Sequence, residues 1–141
     1  MSGVVLVALV VVVTGVGLVW RSRNGRLREQ PDGEVLAASD LGVSLGERAT
    51  LVQFSSAFCA PCRATRVVLA EVTTLVDGVT HVEIDAESHL DLVRRLDIMR
   101  TPTVLVLDPL GRIVKRASGA PRKAEVLATL AAALPSPRSS C

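Results

Sequence analysis

The sequence predicts a single α/β domain carried behind an apolar N-terminal helix, and three observations point that way. Strand-like runs at 50–54, 79–84, 103–107 and 112–117 alternate with helix-period runs that begin near Cys59, near Asp85 and at Arg122. Trp20, Phe54 and Phe58 are the only aromatics, so the core must be built from Val, Leu, Ile and Ala, a palette that suits an α/β fold with a buried parallel sheet. Ahead of all this, residues 3–20 carry no charge. With the first thirty of the 141 residues set aside, about 110 remain, enough for one compact domain and too few for two.

The N-terminal run is dominated by Val and Leu, and its eighteen residues cover roughly 27 Å at helical rise, just enough to span a bilayer. No soluble strand needs that length, and a core helix rarely lacks every charge. Trp20 followed by Arg21 suits a membrane–water interface. A cleaved secretory signal is the competing reading. Against it, Met1-Ser2-Gly3 has no basic lead, no Ala-x-Ala site closes the apolar run, and Leu36-Ala37-Ala38 lies too far downstream. The expectation is an uncleaved single-pass anchor at 1–20, with residues 3–20 in the lipid bilayer of the cell membrane.

The formal charge of +2 is unevenly distributed. Residues 21–30 hold Arg21, Arg23, Arg26 and Arg28 against Glu29, or +3, which leaves 12 basic and 13 acidic residues, or −1, elsewhere. A nearly neutral domain gives no case for nucleic acid as a partner, and none is expected. All four arginines follow the helix, so the charge rule keeps the domain on the cytoplasmic side. Residues 21–33, closed by Pro31-Asp32-Gly33, read as a juxtamembrane linker whose arginines can touch anionic headgroups.

Residues 34–134 are expected to form the domain. Glu34 to Ala38 reads as a short edge strand, and Asp40 to Arg48 as a turn-rich connection. Thr50 to Phe54 is a buried strand that runs into the active-site loop. The helix that begins near Cys59 takes its apolar positions from Val67, Val68, Ala70, Val72, Leu75 and Val76, and ends before Asp77-Gly78. Val79 to Ile84 is the next strand, and Asp85 to Asp97 has helical spacing with Leu92, Val93 and Leu96 inward. Thr103 to Leu107 and Arg112 to Ala117 make an antiparallel hairpin about the turn Asp108-Pro109-Leu110-Gly111, and Arg122 to Leu134 is the last helix. His81, at a strand start, and His89, on an exposed helix, are assigned structural roles. Residues 135–141 form a polar, proline-broken flexible tail in which Cys141 is an incidental thiol.

The chemistry is concentrated in Phe58-Cys59-Ala60-Pro61-Cys62-Arg63. Two cysteines separated by two residues at a helix start can close a small disulfide and reopen it on reduction. Unpaired backbone N–H groups and partial positive charge at that end favour a thiolate over a thiol. Cys59, nearer the tip, is the attacking sulfur; Cys62, in the first turn, resolves the mixed disulfide. Pro61 suits the first turn, where a missing N–H costs nothing, and Arg63 adds positive charge. Zinc would need two more ligands. The chain offers only His81, His89 and the distant Cys141, at spacings that match no finger, so no metal is expected.

From Thr50 to Leu134 the chain resembles the thioredoxin family. Leu51-Val52-Gln53-Phe54-Ser55-Ser56-Ala57-Phe58 is similar to the family's central strand and active-site loop, and His81-Val82-Glu83-Ile84-Asp85 to its next strand. Ile98-Met99-Arg100-Thr101-Pro102-Thr103 is similar to the segment that carries its cis-proline. The resemblance implies a central mixed β-sheet flanked by helices. It also implies that Pro102 is cis, packing against the cysteines and leaving backbone groups free to pair with an extended substrate, with Thr101 in contact. Phe58 and Ala60 stand where the family commonly has Trp and Gly. Phe58, Ala60, Pro61, Thr101 and Pro102 are therefore the expected substrate-binding residues. Gln53 occupies the position of a buried Asp that moves the proton of the second cysteine in many members, and an amide cannot accept that proton.

These readings lead to a membrane-tethered thiol-disulfide oxidoreductase that works on disulfide-containing proteins and is served by an upstream electron donor. No cofactor is expected, because the disulfide itself carries the two electrons. Pro61 and Thr101 lean towards a reductant by analogy. Two alternatives stand beside it: a non-enzymatic docking module on the same fold, and an extracytoplasmic disulfide reductase that matures envelope proteins or cytochromes, since many tethered relatives work outside.

Overall fold

A computed structural model of the chain describes residues 1–30 and 33–134. In chain order the elements are α1 (Ser2–Arg23), β1 (Arg28–Glu29), α2 (Ala38–Leu41), β2 (Ala49–Ser55), α3 (Ala60–Leu75), β3 (Val79–Asp85), α4 (Leu90–Arg95), β4 (Thr103–Leu107), β5 (Ile113–Ser118) and α5 (Lys123–Ala133). The strands form one mixed sheet in the order β1-β5-β4-β2-β3, in which only β2 and β3 run parallel.

Alternation along the strands makes two cores, one on each face of the sheet. Val52 and Phe54 of β2 join Ile84, Leu105, Leu107, Leu92 and Leu96 on one face. Ala49 and Leu51 join Val104, Val106, Leu69 and Val72 of α3, and Val126 and Leu130 of α5, on the other. Every residue of β2 is buried, which is why this strand reads as an unbroken apolar run apart from Thr50, Gln53 and Ser55. It ends at Ser55, and the chain there leaves the sheet to deliver the cysteines.

α1 is apolar on all sides and has no buried residue. It is long and apolar enough to cross a membrane.

Three expectations change. Part of the stretch read as linker is the edge strand β1, with Arg28 opposite Arg116 and Glu29 opposite Lys115. It is tied down on either side: the Gly25 N–H donates to the Ser118 carbonyl at 3.0 Å, and the Leu27 N–H to Glu125 Oε1 at 2.7 Å. Gly25 turns the chain there with a φ of 77°, and a Cβ would collide with the Ala120 carbonyl. A two-residue strand at a polar edge has no alternation for a pattern search to find.

The edge strand expected at Glu34 to Ala38 is a single bridge, Val35 to Arg112, after which the chain turns into α2. The helix expected over Asp85 to Asp97 starts only at Leu90. The Asp85 carboxylate accepts from the Glu87 N–H at 3.0 Å and from Ser88 Oγ at 2.8 Å, which holds those residues in a turn. The tail at 135–141, Cys141 included, lies outside the described residues.

Candidate active site

Cys59 is the N-cap of α3, in extended backbone, and Pro61 stands in the first turn as helix geometry allows. The capping atom is sulfur: Cys59 Sγ accepts the Cys62 N–H at 3.2 Å. Cys59 and Cys62 are joined as a disulfide with Cα atoms 5.2 Å apart. Their surroundings differ sharply, for Cys59 is half-buried while Cys62 is 1% exposed beneath the helix. A partner molecule therefore meets Cys59 first. When the bond is reduced, the negative charge that forms on Cys59 Sγ sits at a helix N-terminus with an N–H directed at it.

Phe58, immediately before Cys59, has a φ of 57° and a side chain wholly in water. A bulky residue in the left-handed region costs of order 1–2 kcal/mol, and strain of this kind gathers at functional sites. Ala60 and Pro61 are also exposed.

The Thr101–Pro102 peptide is cis. Thr101 Oγ1 lies 4.0 Å from Cys59 Sγ and 2.7 Å from Ser56 Oγ, so the proline loop and the cysteine loop are joined through two hydroxyls. Pro102 is buried, and its carbonyl accepts the Gly119 N–H at 2.7 Å. Of the seven site residues expected from the sequence, Phe58 and Cys59 end the loop before α3, Ala60, Pro61 and Cys62 open that helix, and Thr101 and Pro102 lie on the adjoining proline loop, where Met99 is 83% exposed. Phe58 and Met99 are exposed apolar residues, one on each loop, and of the two only Phe58 was singled out in the sequence.

Beneath the disulfide, Gln53 is completely buried and uses its whole amide. Nε2 donates to the Cys62 carbonyl at 2.8 Å and to Ser55 Oγ at 3.0 Å. A carbonyl can only accept, which fixes the amide orientation and turns Oε1 towards His81 Nε2, 3.1 Å away. His81 Nε2 must then carry a proton. Burial pushes the imidazole below its ordinary pKa, the Glu83 carboxylate pulls it up less strongly, and the Arg66 guanidinium pushes it down. A neutral polar chain thus runs from His81 through Gln53 to the backbone of Cys62, with no carboxylate in it.

His81 lies inside β3 rather than at its start, and it has the polar partner that spacing along the chain did not suggest. The signal was present in the parity of the strand. His81 and Glu83 share the face of Val79, which packs under α3, and Glu83 accordingly pairs with Arg66 of α3. His89, expected on an exposed helix, is the exposed residue just before α4. Among the described residues no group of three His, Cys, Asp or Glu side chains could hold a metal ion.

Comparison with known proteins places this arrangement. The family model described as Thioredoxin matches residues 38–132. Relatives in sequence include thioredoxin from Mycobacterium tuberculosis, 31% identical over 86 residues that make up 60% of this chain and 73% of that one. Thioredoxin Y, chloroplastic, from Oryza sativa is 29% identical over 85 residues, 60% of this chain and 51% of that one. Thioredoxin domain-containing protein 2 of Homo sapiens is 35% identical over 72 residues, 49% of this chain, which spans only 13% of that much longer protein. In fold, the chain is similar to mitochondrial thioredoxin 3 of Saccharomyces cerevisiae, with a TM-score of 0.53 at 16% identity covering 61% of this chain and 79% of that one. It is similar also to the reduced thioredoxin pre-protein of Schistosoma mansoni, with a TM-score of 0.54 at 18% identity covering 63% and 82%. By its matched residues, its mixed sheet and its paired cysteines, the chain belongs to the thioredoxin family.

Proposed function

We propose that the protein is a membrane-tethered thiol-disulfide oxidoreductase that exchanges the Cys59–Cys62 disulfide with protein clients. In the reducing direction, the Cys59 thiolate attacks one sulfur of a client disulfide, forming a mixed disulfide and releasing the other client sulfur as a thiolate. Cys62 then attacks Cys59 Sγ, the Cys59–Cys62 bond forms, and the client leaves with both cysteines reduced. Two electrons pass to the client, and an upstream dithiol donor restores the pair. Gln53 cannot take the Cys62 proton, because an amide is no base at neutral pH. Phe58, Ala60, Pro61, Thr101 and Pro102 form the contact surface, on which an extended client segment pairs with backbone groups beside the proline.

The observation that supports this best is the asymmetry of the two sulfurs: a half-buried cap atom that accepts an N–H, and a buried partner bonded to it. Reduction of a disulfide-bearing test protein by a dithiol donor measures the activity. Cys59→Ser is expected to fall to the uncatalysed rate, and Cys62→Ser to accumulate mixed disulfides visible on non-reducing gels. Full turnover by either variant would overturn the assignment.

The tether is α1, and the arginines after it support a cytoplasmic domain. A C-terminal tag should then be shielded from protease in intact cells. Cleavage of the tag would move the domain to the outer face.

A further inference from the structure

We propose that the arginines gathered where α1 meets the sheet bind the phosphate of an anionic phospholipid headgroup. The inference rests on the reading of α1 as a membrane span. Arg23, Arg26, Arg28, Arg100 and Arg116 line one cleft of about 430 Å³, and among the described residues Glu29 is the only acidic one in its wall. Glu29 is itself engaged by Lys115 at 3.3 Å. Among the described residues, none of the five arginines lies within salt-bridge distance of a carboxylate.

The convergence is a product of the fold. Arg100 and Arg116 come from the proline loop and from β5, far along the chain from the juxtamembrane cluster. The β1–β5 register sets Arg28 directly opposite Arg116, a like-charge pair that disfavours the sheet edge unless something negative lies between or beside them. Backbone carbonyls hold two of these side chains without neutralising them: Arg116 Nη2 donates to Leu96 O at 2.6 Å, and Arg100 Nη2 to Ser118 O at 3.1 Å. Arg116 Nε is buried and has no hydrogen-bond partner among the described residues. An acceptor-rich anion in the cleft relieves that repulsion, and guanidinium groups match phosphate oxygens in a two-pronged geometry.

The position of the cleft selects the lipid. Trp20, the interface residue at the end of the span, belongs to the same wall, so the arginines meet the bilayer at headgroup height.

The test uses the full-length protein in detergent micelles, titrated separately with short-chain phosphatidylglycerol, phosphatidylcholine and inorganic phosphate, with bound species counted by native mass spectrometry. Phosphatidylglycerol is expected to bind in preference to phosphatidylcholine. Arg100→Gln and Arg116→Gln should each weaken it about fivefold. Arg21→Gln, on the same flank but outside the cleft, should leave it unchanged. Arg23→Gln gives a second reading if the Arg116 variant fails to fold.

Equal binding of the two lipids would overturn the proposal. So would equal losses from Arg21→Gln and Arg100→Gln, because diffuse charge would then explain the result. Inorganic phosphate binding as tightly as phosphatidylglycerol would identify a free-anion site instead. Alkaline extraction of membranes is read separately: release of the chain from the bilayer would overturn the tether, and the lipid site with it, whatever the titrations show.

Discussion

α1 and α3 are both long and rich in Val, Leu and Ala, yet they satisfy their apolar surfaces in opposite ways. α3 buries Cys62, Thr65, Leu69 and Val72, a single stripe at helical spacing, against the sheet and α5, and leaves Arg63, Arg66 and Glu71 in water. The 22 residues of α1 bury nothing within the chain and have no polar face until its last turn. One helix is matched to a protein surface on one side. The other is apolar on every side, and nothing among the described residues covers it.

The largest effect expected from this contrast is in the core. Leu69→Ala, at a position with no exposure, should cost about 2–5 kcal/mol in denaturant unfolding of the full chain in micelles. Val11→Ala in α1 should leave the domain's transition where it is, and an equal shift would mean that α1 packs on the domain after all.

Val10→Arg near the middle of α1 should oppose insertion by about 2.5–3.5 kcal/mol, read as a shift of the chain from the membrane to the soluble fraction. Val67→Arg, on the exposed side of α3, should change stability by no more than about 0.5 kcal/mol.

The buried stripe of α3 also has a polar foot in Gln53. Gln53→Leu leaves the Cys62 carbonyl, Ser55 Oγ and His81 Nε2 without their shared partner, and should cost about 1–3 kcal/mol. It should also change the thiol-disulfide equilibrium against glutathione, which Leu69→Ala should not.

The smallest effect is a pH dependence. Because burial holds the folded His81 below its ordinary pKa, the unfolded chain binds more protons than the folded one just below about pH 6.5. Stability should therefore decline as pH falls through that range and level off once the folded imidazole is protonated. His81→Asn should flatten that part of the curve while leaving the loss at lower pH, where Asp40, held low by Arg95, and Asp85, held low by Ser88, take up protons. An unchanged curve in His81→Asn would remove His81 from the account.

What was legible in the sequence was whatever depends on neighbours along the chain. A strand, a loop and a helix opening on two cysteines are readable because helix capping and strand alternation act over a few residues. The hairpin about Asp108–Gly111 is readable for the same reason. β1 was not, because Arg28 and Glu29 owe their pairing to β5 and carry no pattern of their own. The shortness of α4 was hidden in the Asp85 side chain, which competes with the helix for the N–H of Glu87. The link from His81 to Gln53 spans 28 residues of sequence and becomes visible only when the parallel β2–β3 pairing is combined with the parity of each strand.

The early entry of the chain into the sheet fixes how far the domain can stand from the end of α1. Residues 21–33 as a free leash would extend about 43 Å, but only residues 24–27 separate the end of α1 from β1, a reach of about 13 Å. With α1 in a bilayer, the domain is moored at the lipid surface instead of ranging above it. If the paired cysteines exchange with proteins, those proteins would be sorted by altitude before any sulfur is touched: a disulfide held far from the lipid surface must descend to Cys59, while one close to a membrane protein's own lipid boundary is already within its working radius.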